Sequence, residues 1–517
     1  MQLDRKTCSR ARKTRDPRFD GRIFIGVLTT GIYCRNVCPA PSAKEKNVRY
    51  FSSAPEAAGA GFRPCLRCRP ECSPGTPAWM GTSTTVSRAL RLISESSLAG
   101  GVESLAGRLG VGSRHLRRLF LQHLGASPGA VAQTRRLHFA KKLIDETTLP
   151  MRQVAAAAGF GSVRRFNAMI RKTYKRTPGS IRKLARNLRA EPENEYVFRV
   201  RFRPPFDWER LLMFSGARAI PGVEVVDAGV YRRTFCLAPP GADPRKLSDG
   251  SVEAAMDASG AAIIARIRVA DPGWLFLIVE RLRRMFDLNG DPREVTAHLG
   301  GDPLLARSIA AHPGLRIPGC WDGFELAVRA ILGQQVTVKG ATTLAGRLVS
   351  ELGRPFNAGH GLTHIFPPPT VLADADLARV GLPAARAESI RSLARAVRDG
   401  RLAFHSVADV GAFLGRFREL PGIGDWTAQY VAMRAFGDPD AFPAGDLGLL
   451  KAAGMRRASD LEARSRTWRP WRAYAAMHLW QGIPASPRER HKHVPRAKHG
   501  DIPRPPAAAP ISIGARA

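Results

Sequence analysis

Leu420-Pro421-Gly422-Ile423-Gly424-Asp425-Trp426-Thr427-Ala428 sets two glycines, Gly422 and Gly424, in a tight loop between stretches of helical spacing. Glycine has no Cβ, so backbone N–H groups on such a loop can approach a phosphate, and the start of the following helix favours the anion. The stretch reads as two helices joined by a tight loop able to hold a phosphate. A plain Pro-Gly turn between helices is the alternative, and the surrounding sequence decides between them.

Helical segments broken by Gly and Pro run from about Leu304 to Ile483 around this loop. Upstream, Tyr196, Phe198, Val200 and Phe202 alternate with other residues, the period of a half-buried strand. Tyr231–Leu237 and Ala262–Val269 look like further strands and Leu275–Leu288 like a helix, so this middle region is α+β. Helical spacing also fills the segment from Val86 to about Leu188, after a proline- and small-residue linker at Ser73–Thr85. Residues 355–373, rich in proline, read as a loop and not as a membrane span. The tail from Ser486, basic and proline-rich, is expected to stay disordered.

At 517 residues the chain needs several cores. Its 80 Lys and Arg against 44 Asp and Glu leave a formal charge of +36, an electrostatic argument for a polyanionic partner, with solubility or a coding bias toward Arg as the alternative. Residues 76–190 alone hold 21 basic and 4 acidic side chains. The basic amino terminus lacks the apolar core of a secretory signal, and the cysteine spread does not suit a secreted disulfide scaffold, so a reduced compartment is expected.

Cys34 and Cys38, then Cys65 and Cys68, form two close pairs that can converge on one tetrahedral zinc, with reduced core cysteines as the alternative and Cys72 as a nearby spare. Thr29–Arg35 and Gly61–Cys68 resemble the amino-terminal domain of the Ada family over about residues 4–72. That resemblance implies that Cys34 is both a ligand and the nucleophile that takes a methyl group from a DNA phosphotriester. A purely structural zinc knuckle is the other reading.

Gly110-Val111-Gly112-Ser113 precedes Arg114, His115, Arg117 and Arg118, while Gly159-Phe160-Gly161-Ser162 precedes Arg164, Arg165 and Asn167. Each copy reads as a helix ended by Gly and a second helix opened by a Ser N-cap, its exposed face suited to phosphates and base edges. Ala155–Phe160 with Arg176-Thr177-Pro178 resembles the AraC family's DNA-binding domain over about residues 84–185. Solvated helix faces are the bland alternative for any one arginine run.

Gly319–Glu325, Arg329–Val336 and Trp468–Ala475, in order around the hairpin, resemble the AlkA family of 3-methyladenine DNA glycosylases. The resemblance implies Asp446 as the catalytic carboxylate, with Asp438 and Asp440 as lesser alternatives and a helix N-cap as the structural reading. It also implies an aromatic base pocket of Trp426, Tyr430 and Trp480, and Gln335 filling the gap left by a flipped nucleotide. Trp471 and Tyr474 are read as packing. Trp426 stands where strand-nicking relatives carry a lysine, so no Schiff base is expected there. The alkyltransferase motif Pro-Cys-His-Arg of the Ada pattern has no counterpart.

The fold expected is therefore multidomain α+β: an Ada-like zinc domain (1–75), an all-α double helix-turn-helix (84–188), an AlkA-like α+β domain (195–302), an all-α helix-hairpin-helix glycosylase domain (303–485) and a disordered tail (486–517). The expected partners are double-stranded, alkylated and promoter DNA, together with RNA polymerase; the expected cofactor is Zn2+. The resemblances imply a bacterial cytoplasmic protein associated with the nucleoid. The rival reading is a transcriptional activator whose glycosylase-like half only binds DNA.

Overall fold

A computed structural model describes residues 4–68, 70, 84–96, 101–185, 192–238, 247–405, 407 and 409–481. Cys72, most of the linker and the tail from Ser486 lie outside the described residues. Among the described residues no helix is long and apolar enough to cross a membrane.

The amino-terminal module is a four-stranded sheet of order β3-β1-β2-β4, with β1 Phe24–Val27, β2 Ile32–Arg35, β3 Val48–Phe51 and β4 Arg63–Pro64. The apolar run at Ile23–Leu28 supplies β1, and the chain reverses into β2 through Gly31 at φ +62°. Ile25 pairs with Cys34 across this hairpin, and Tyr33 pairs with Pro64 in the parallel β2–β4 pair. The hairpin and β4 thus bring the Cys34 and Cys65 regions side by side.

Among the described residues seven helices follow, from Thr84–Ser96 to Pro178–Leu184. Ser162 caps Val163–Tyr174, its hydroxyl accepting from Arg165 N at 3.2 Å, as the spacing suggests. The first copy differs: Gly112 is the N-cap of Ser113–Leu124, no side chain caps it, and Ser113 is already the first helical residue. Gly110 at φ +68° and Gly159 at φ +74° make the two matched turns, a conformation costly for residues with a Cβ.

The middle region is an antiparallel sheet of order β5-β9-β8-β7-β6, with β5 Glu195–Arg201, β6 Glu224–Asp227, β7 Val230–Leu237, β8 Ser248–Met256 and β9 Ala262–Val269. Tyr196, Phe198, Val200 and Phe202 are buried on one face. Helix Leu275–Met285 covers that sheet, in keeping with its sequence spacing.

The same core continues into the helices between residues 128 and 174. Leu137–Ile144 of the long helix Pro128–Glu146 and Phe166 and Ile170 of helix Val163–Tyr174 share one apolar cluster with the sheet. Phe139 lies edge to face on Phe276, centroids 5.0 Å apart, and 6.4 Å from Phe198. The zinc module docks on both neighbours: Tyr33 Oη lies 3.0 Å from His138 Nε2, and Arg203, fully buried, donates to the Asp20 carbonyl at 3.1 Å. Arg22 adds ion pairs to Asp291 at 3.1 Å and Glu294 at 2.9 Å.

The rest is a helical domain around a second large core, holding the pair Val410–Arg418 and Asp425–Ala435. Residues 355–373 are not simply a loop. Strands β10 Arg354–Gly359 and β11 Leu362–Ile365 form a hairpin turned by Gly359, His360 and Gly361, all at positive φ, and Pro369–Leu372 is a short helix. Pro355 sits next to the strand's first residue, where a missing N–H is tolerated.

Candidate functional sites

The four sulfurs of Cys34, Cys38, Cys65 and Cys68 all lie within 4.8 Å of one another. Four soft donors at that spacing, with no carboxylate or imidazole among them, fit a closed tetrahedral zinc site. Cys65 and Cys68 are buried, whereas Cys34 and Cys38 are partly exposed, so Cys34 and Cys38 are the more open to a reagent from solvent. The hydrogen bond with Cys34 draws the Cys38 thiol down to about 7. Arg35 N donates to Cys68 Sγ at 3.3 Å and its guanidinium donates to the Cys68 carbonyl at 3.1 Å while pairing with buried Asp20. The backbone beside Cys34 is thereby clamped to the second cysteine pair.

In the helical domain, helix Asp425–Ala435 carries Trp426 and Tyr430 one turn apart, stacked with centroids 5.2 Å apart and planes within 10°. Asp446 precedes the short helix Leu447–Ala452 as its N-cap, Oδ1 accepting from Leu449 N at 3.0 Å. The same carboxylate accepts from Trp426 Nε1 on Oδ2 at 2.9 Å and from Trp480 Nε1 on Oδ1 at 3.0 Å. The helix-cap contact and both indole contacts therefore fall on one side chain. Three donors fix its orientation and leave part of its roughly four lone-pair directions open.

Asp440 is taken up by Arg472 at 2.8 Å, and Asp438 accepts from Asp440 N at 2.9 Å, with burial pushing its carboxyl upward. Among the described residues neither accepts from an indole N–H. Trp471 and Tyr474 are buried, and Tyr474 Oη donates to Asp287 at 2.6 Å.

Gly422 sits at φ +76°, where a Cβ would lie 2.3 Å from Ser389 Oγ, so this position is closed to other residues. Gly424 has an ordinary φ of −88° and is the helix N-cap; a Cβ there would meet nothing, and its bareness keeps the helix start open. Gln335 is exposed, in the left-handed region at φ +56°. Its neighbour Gln334 ties that turn to the hairpin, donating to Gly422 O at 2.8 Å and Thr427 Oγ1 at 3.0 Å.

Sequence reasoning missed Gln334 and also Arg434. Arg434 is buried and donates to Pro318 O at 2.7 Å, Gly319 O at 3.0 Å and Tyr430 Oη at 2.6 Å. Its spacing of four from Tyr430 on one helix was the available signal. On the recognition helices Arg114, Arg117, Arg118, Arg164 and Arg165 are exposed and Asn167 half-buried. Arg117 pairs with Glu103 at 2.8 Å, and Arg118 lies 3.0 Å from His115 Nδ1.

Family models match four consecutive blocks: the metal binding domain of Ada over residues 7–71, a helix-turn-helix domain over 105–184, the AlkA N-terminal domain over 197–322 and the HhH-GPD superfamily base excision DNA repair protein over 328–472. A probable bifunctional transcriptional activator/DNA repair enzyme AlkA of Mycobacterium tuberculosis is 40% identical over 491 residues, 93% of this chain and 97% of that one. The chain belongs to this family of bifunctional activator and repair proteins.

DNA-3-methyladenine glycosylase 2 of Escherichia coli is 32% identical over 55% of this chain and 96% of its own length. The bifunctional activator and repair enzyme Ada of Escherichia coli is 38% identical over 24% of this chain and 33% of its own. The family thus joins an Ada-type zinc module and a DNA-binding helix-turn-helix to an AlkA-type glycosylase, and its metal is zinc, in agreement with the four-cysteine cluster.

Proposed function

We propose that this chain excises alkylated bases, 3-methyladenine foremost, through Asp446, and records DNA methylation damage by accepting a methyl group on Cys34. The observation that carries the reading is the Asp446 carboxylate held by the indole N–H groups of Trp426 and Trp480 beside the Trp426–Tyr430 stack. An N-alkylated purine in DNA is cationic and leaves readily. Rotated out of the duplex, it is received against electron-rich aromatic faces. As the C1′–N bond breaks, its electron pair passes to the base, which leaves neutral, and the sugar takes on oxocarbenium character. The fixed negative charge of Asp446 opposes that developing positive charge. Water adds at C1′ and loses a proton, giving an abasic site. Trp426 offers no amine, so the strand stays intact. The hairpin glycines hold the phosphates and Gln335 fills the gap in the stack.

At the other site Cys34, Cys38, Cys65 and Cys68 would hold the zinc, whose charge would keep their sulfurs as thiolates at neutral pH. Cys34 Sγ attacks the methyl carbon of a methylphosphotriester; the O–CH3 bond breaks, a thioether forms and an ordinary phosphodiester leaves. The zinc site loses one negative charge, lowering its repulsion from DNA. The exposed arginines of the two recognition helices then favour promoter DNA, and the activator contacts RNA polymerase there, at the nucleoid of a bacterial cytoplasm.

The test is release of 3-methyladenine from alkylated duplex DNA by the purified protein, with abasic sites that break only after alkali. If no alkylated base is released, the helical half is a DNA-binding element of an activator and not an enzyme.

A further inference from the structure

In the Tyr430–Trp426 stack, Asp446 bonds the Trp426 ring, whereas the Tyr430 ring is met by positive charge. Arg434 donates to Tyr430 Oη at 2.6 Å, and its guanidinium lies 5.3 Å from the Tyr430 centroid. Arg218, stacked 3.8 Å over Phe214, shares that ring with Arg434, which lies 4.9 Å from its centroid. Behind them Arg329 is matched by Glu224 at 2.9 Å and Arg233 by Glu325 at 2.7 Å. Arg218 and Arg434 have no carboxylate partner among the described residues, so the surplus charge is theirs. Burial pushes the Tyr430 phenol up, yet the charges of Arg434, Arg218 and Arg329 overcome it and hold it below its ordinary value.

A pocket for a cationic base is an odd place for two unmatched cations if binding were their purpose, because they repel the substrate. Charge moves during the reaction, however. The base goes from positive to neutral while the sugar goes from neutral to positive. Cations on the base side and an anion on the sugar side both favour the charge distribution of the transition state over that of the bound substrate, which is the condition for raising the rate of the chemical step. We propose that Arg434 and Arg218 form a positive backing to the base pocket which, opposed to Asp446, drives the bond's electron pair from the sugar to the leaving base. Arg434 acts through Tyr430 and is a positioning residue as well, since its other two donors pin it to the Pro318 and Gly319 carbonyls. The idea rests on the assignment of Asp446 above.

The test compares full-length wild type with Arg434→Met, Arg434→Lys, Arg218→Gln and Asp446→Asn on duplex DNA carrying 7-methylguanine, a cationic lesion. Single-turnover rates are taken at saturating and sub-saturating enzyme, and thermal midpoints recorded alongside. Arg434→Met should slow the saturated rate by about tenfold or more while the half-saturating concentration stays equal or falls. Arg434→Lys, which keeps charge but not the three-donor fork, should recover most of the rate. Arg218→Gln, which leaves the bonds of Arg434 to the Pro318 and Gly319 carbonyls in place, should slow the saturated rate in the same direction even if Arg434→Met is poorly folded. A half-saturating concentration that rises at unchanged rate, or a lysine variant as slow as the methionine one, overturns the proposal. An inactive wild type, or a fully active Asp446→Asn, overturns the enzymatic assignment and this inference with it; normal behaviour of those two with unaffected arginine variants overturns the inference alone.

Discussion

Trp480 Nε1 donates to Asp446 Oδ1 at 3.0 Å, joining the last described helix to the start of Leu447–Ala452. Because Oδ1 also accepts from Leu449 N and Oδ2 from Trp426, an amide cannot replace the carboxylate isosterically: its NH2 would confront a donor. Asp446→Asn is expected to lower excision by on the order of a hundredfold or more while lesion binding persists. Single-turnover excision beside a binding titration checks this; full activity in the variant would move catalysis to another group.

Only Cys34 and Cys38 of the cluster are half-exposed, which narrows the methyl acceptor before any chemistry is done. Treatment with DNA bearing methylphosphotriesters should add one methyl, on Cys34, as read by peptide mass spectrometry. Removal of zinc by a chelator should abolish it, because a thiol attacks methyl carbon far more slowly than a thiolate. A methyl found on Cys38 or on Cys72 would reassign the acceptor.

The cysteine centre was legible because ligand type and spacing are local properties of the chain. The strands with strong alternation, β5, β7 and β9, were legible for the same reason. β8, Ser248–Met256, is rich in small and polar residues and gains its strand from two flanking neighbours, a non-local cause. The 355–373 hairpin hid behind its prolines. In the pocket, Asp446, Trp426, Tyr430 and Trp480 were reached through family motifs and not from spacing. Gln334 and the anchoring of Arg434 escaped because their partners, Gly422, Pro318 and Gly319, lie about a hundred residues away, and the one local sign was the four-residue spacing of Arg434 from Tyr430.

His478 is buried two residues before Trp480, with Ser308 Oγ 3.1 Å from its Nδ1, and burial followed by the charge of His312 lowers it to about 4. The unfolded chain therefore takes up a proton near pH 6.5 that the native state refuses until about 4. Stability should fall as pH drops through that window, by about 1.4 kcal/mol per unit from this group. Thermal melts from pH 7.5 to 4.5 should show the decline, and His478→Gln should flatten it. An unchanged slope would place the acid sensitivity elsewhere.

Phe139 belongs to a regulatory helix yet packs on Phe198 and Phe276 of the sheet domain. Phe139→Ala should cost about 3–5 kcal/mol, as large core truncations do. Since one core spans the two regions, the helix-turn-helix and the sheet should lose protection from hydrogen exchange together. Loss confined to one region would show that the two are only loosely apposed.

Arg164 and Arg165 are exposed in the first turn of the recognition helix Val163–Tyr174, and no acidic side chain pairs with either among the described residues. They are free to meet phosphate. Arg117 must first leave Glu103, but both partners are over half exposed, and a pair of that kind is worth only about 0–1 kcal/mol. Each arginine that grips phosphate should contribute about 0.9 to the slope of log affinity against log salt. Alanine at Arg164 and at Arg165 should therefore each weaken binding on every sequence and flatten the salt slope by about one unit, whereas an arginine that reads a base should relax preference at one position of the site and leave the slope nearly intact. Titrations at several salt concentrations, on specific and random duplexes, separate the two roles. If neither change alters affinity or slope, the second helix-turn-helix does not face DNA, and recognition rests on Arg114, Arg117 and Arg118 of the first.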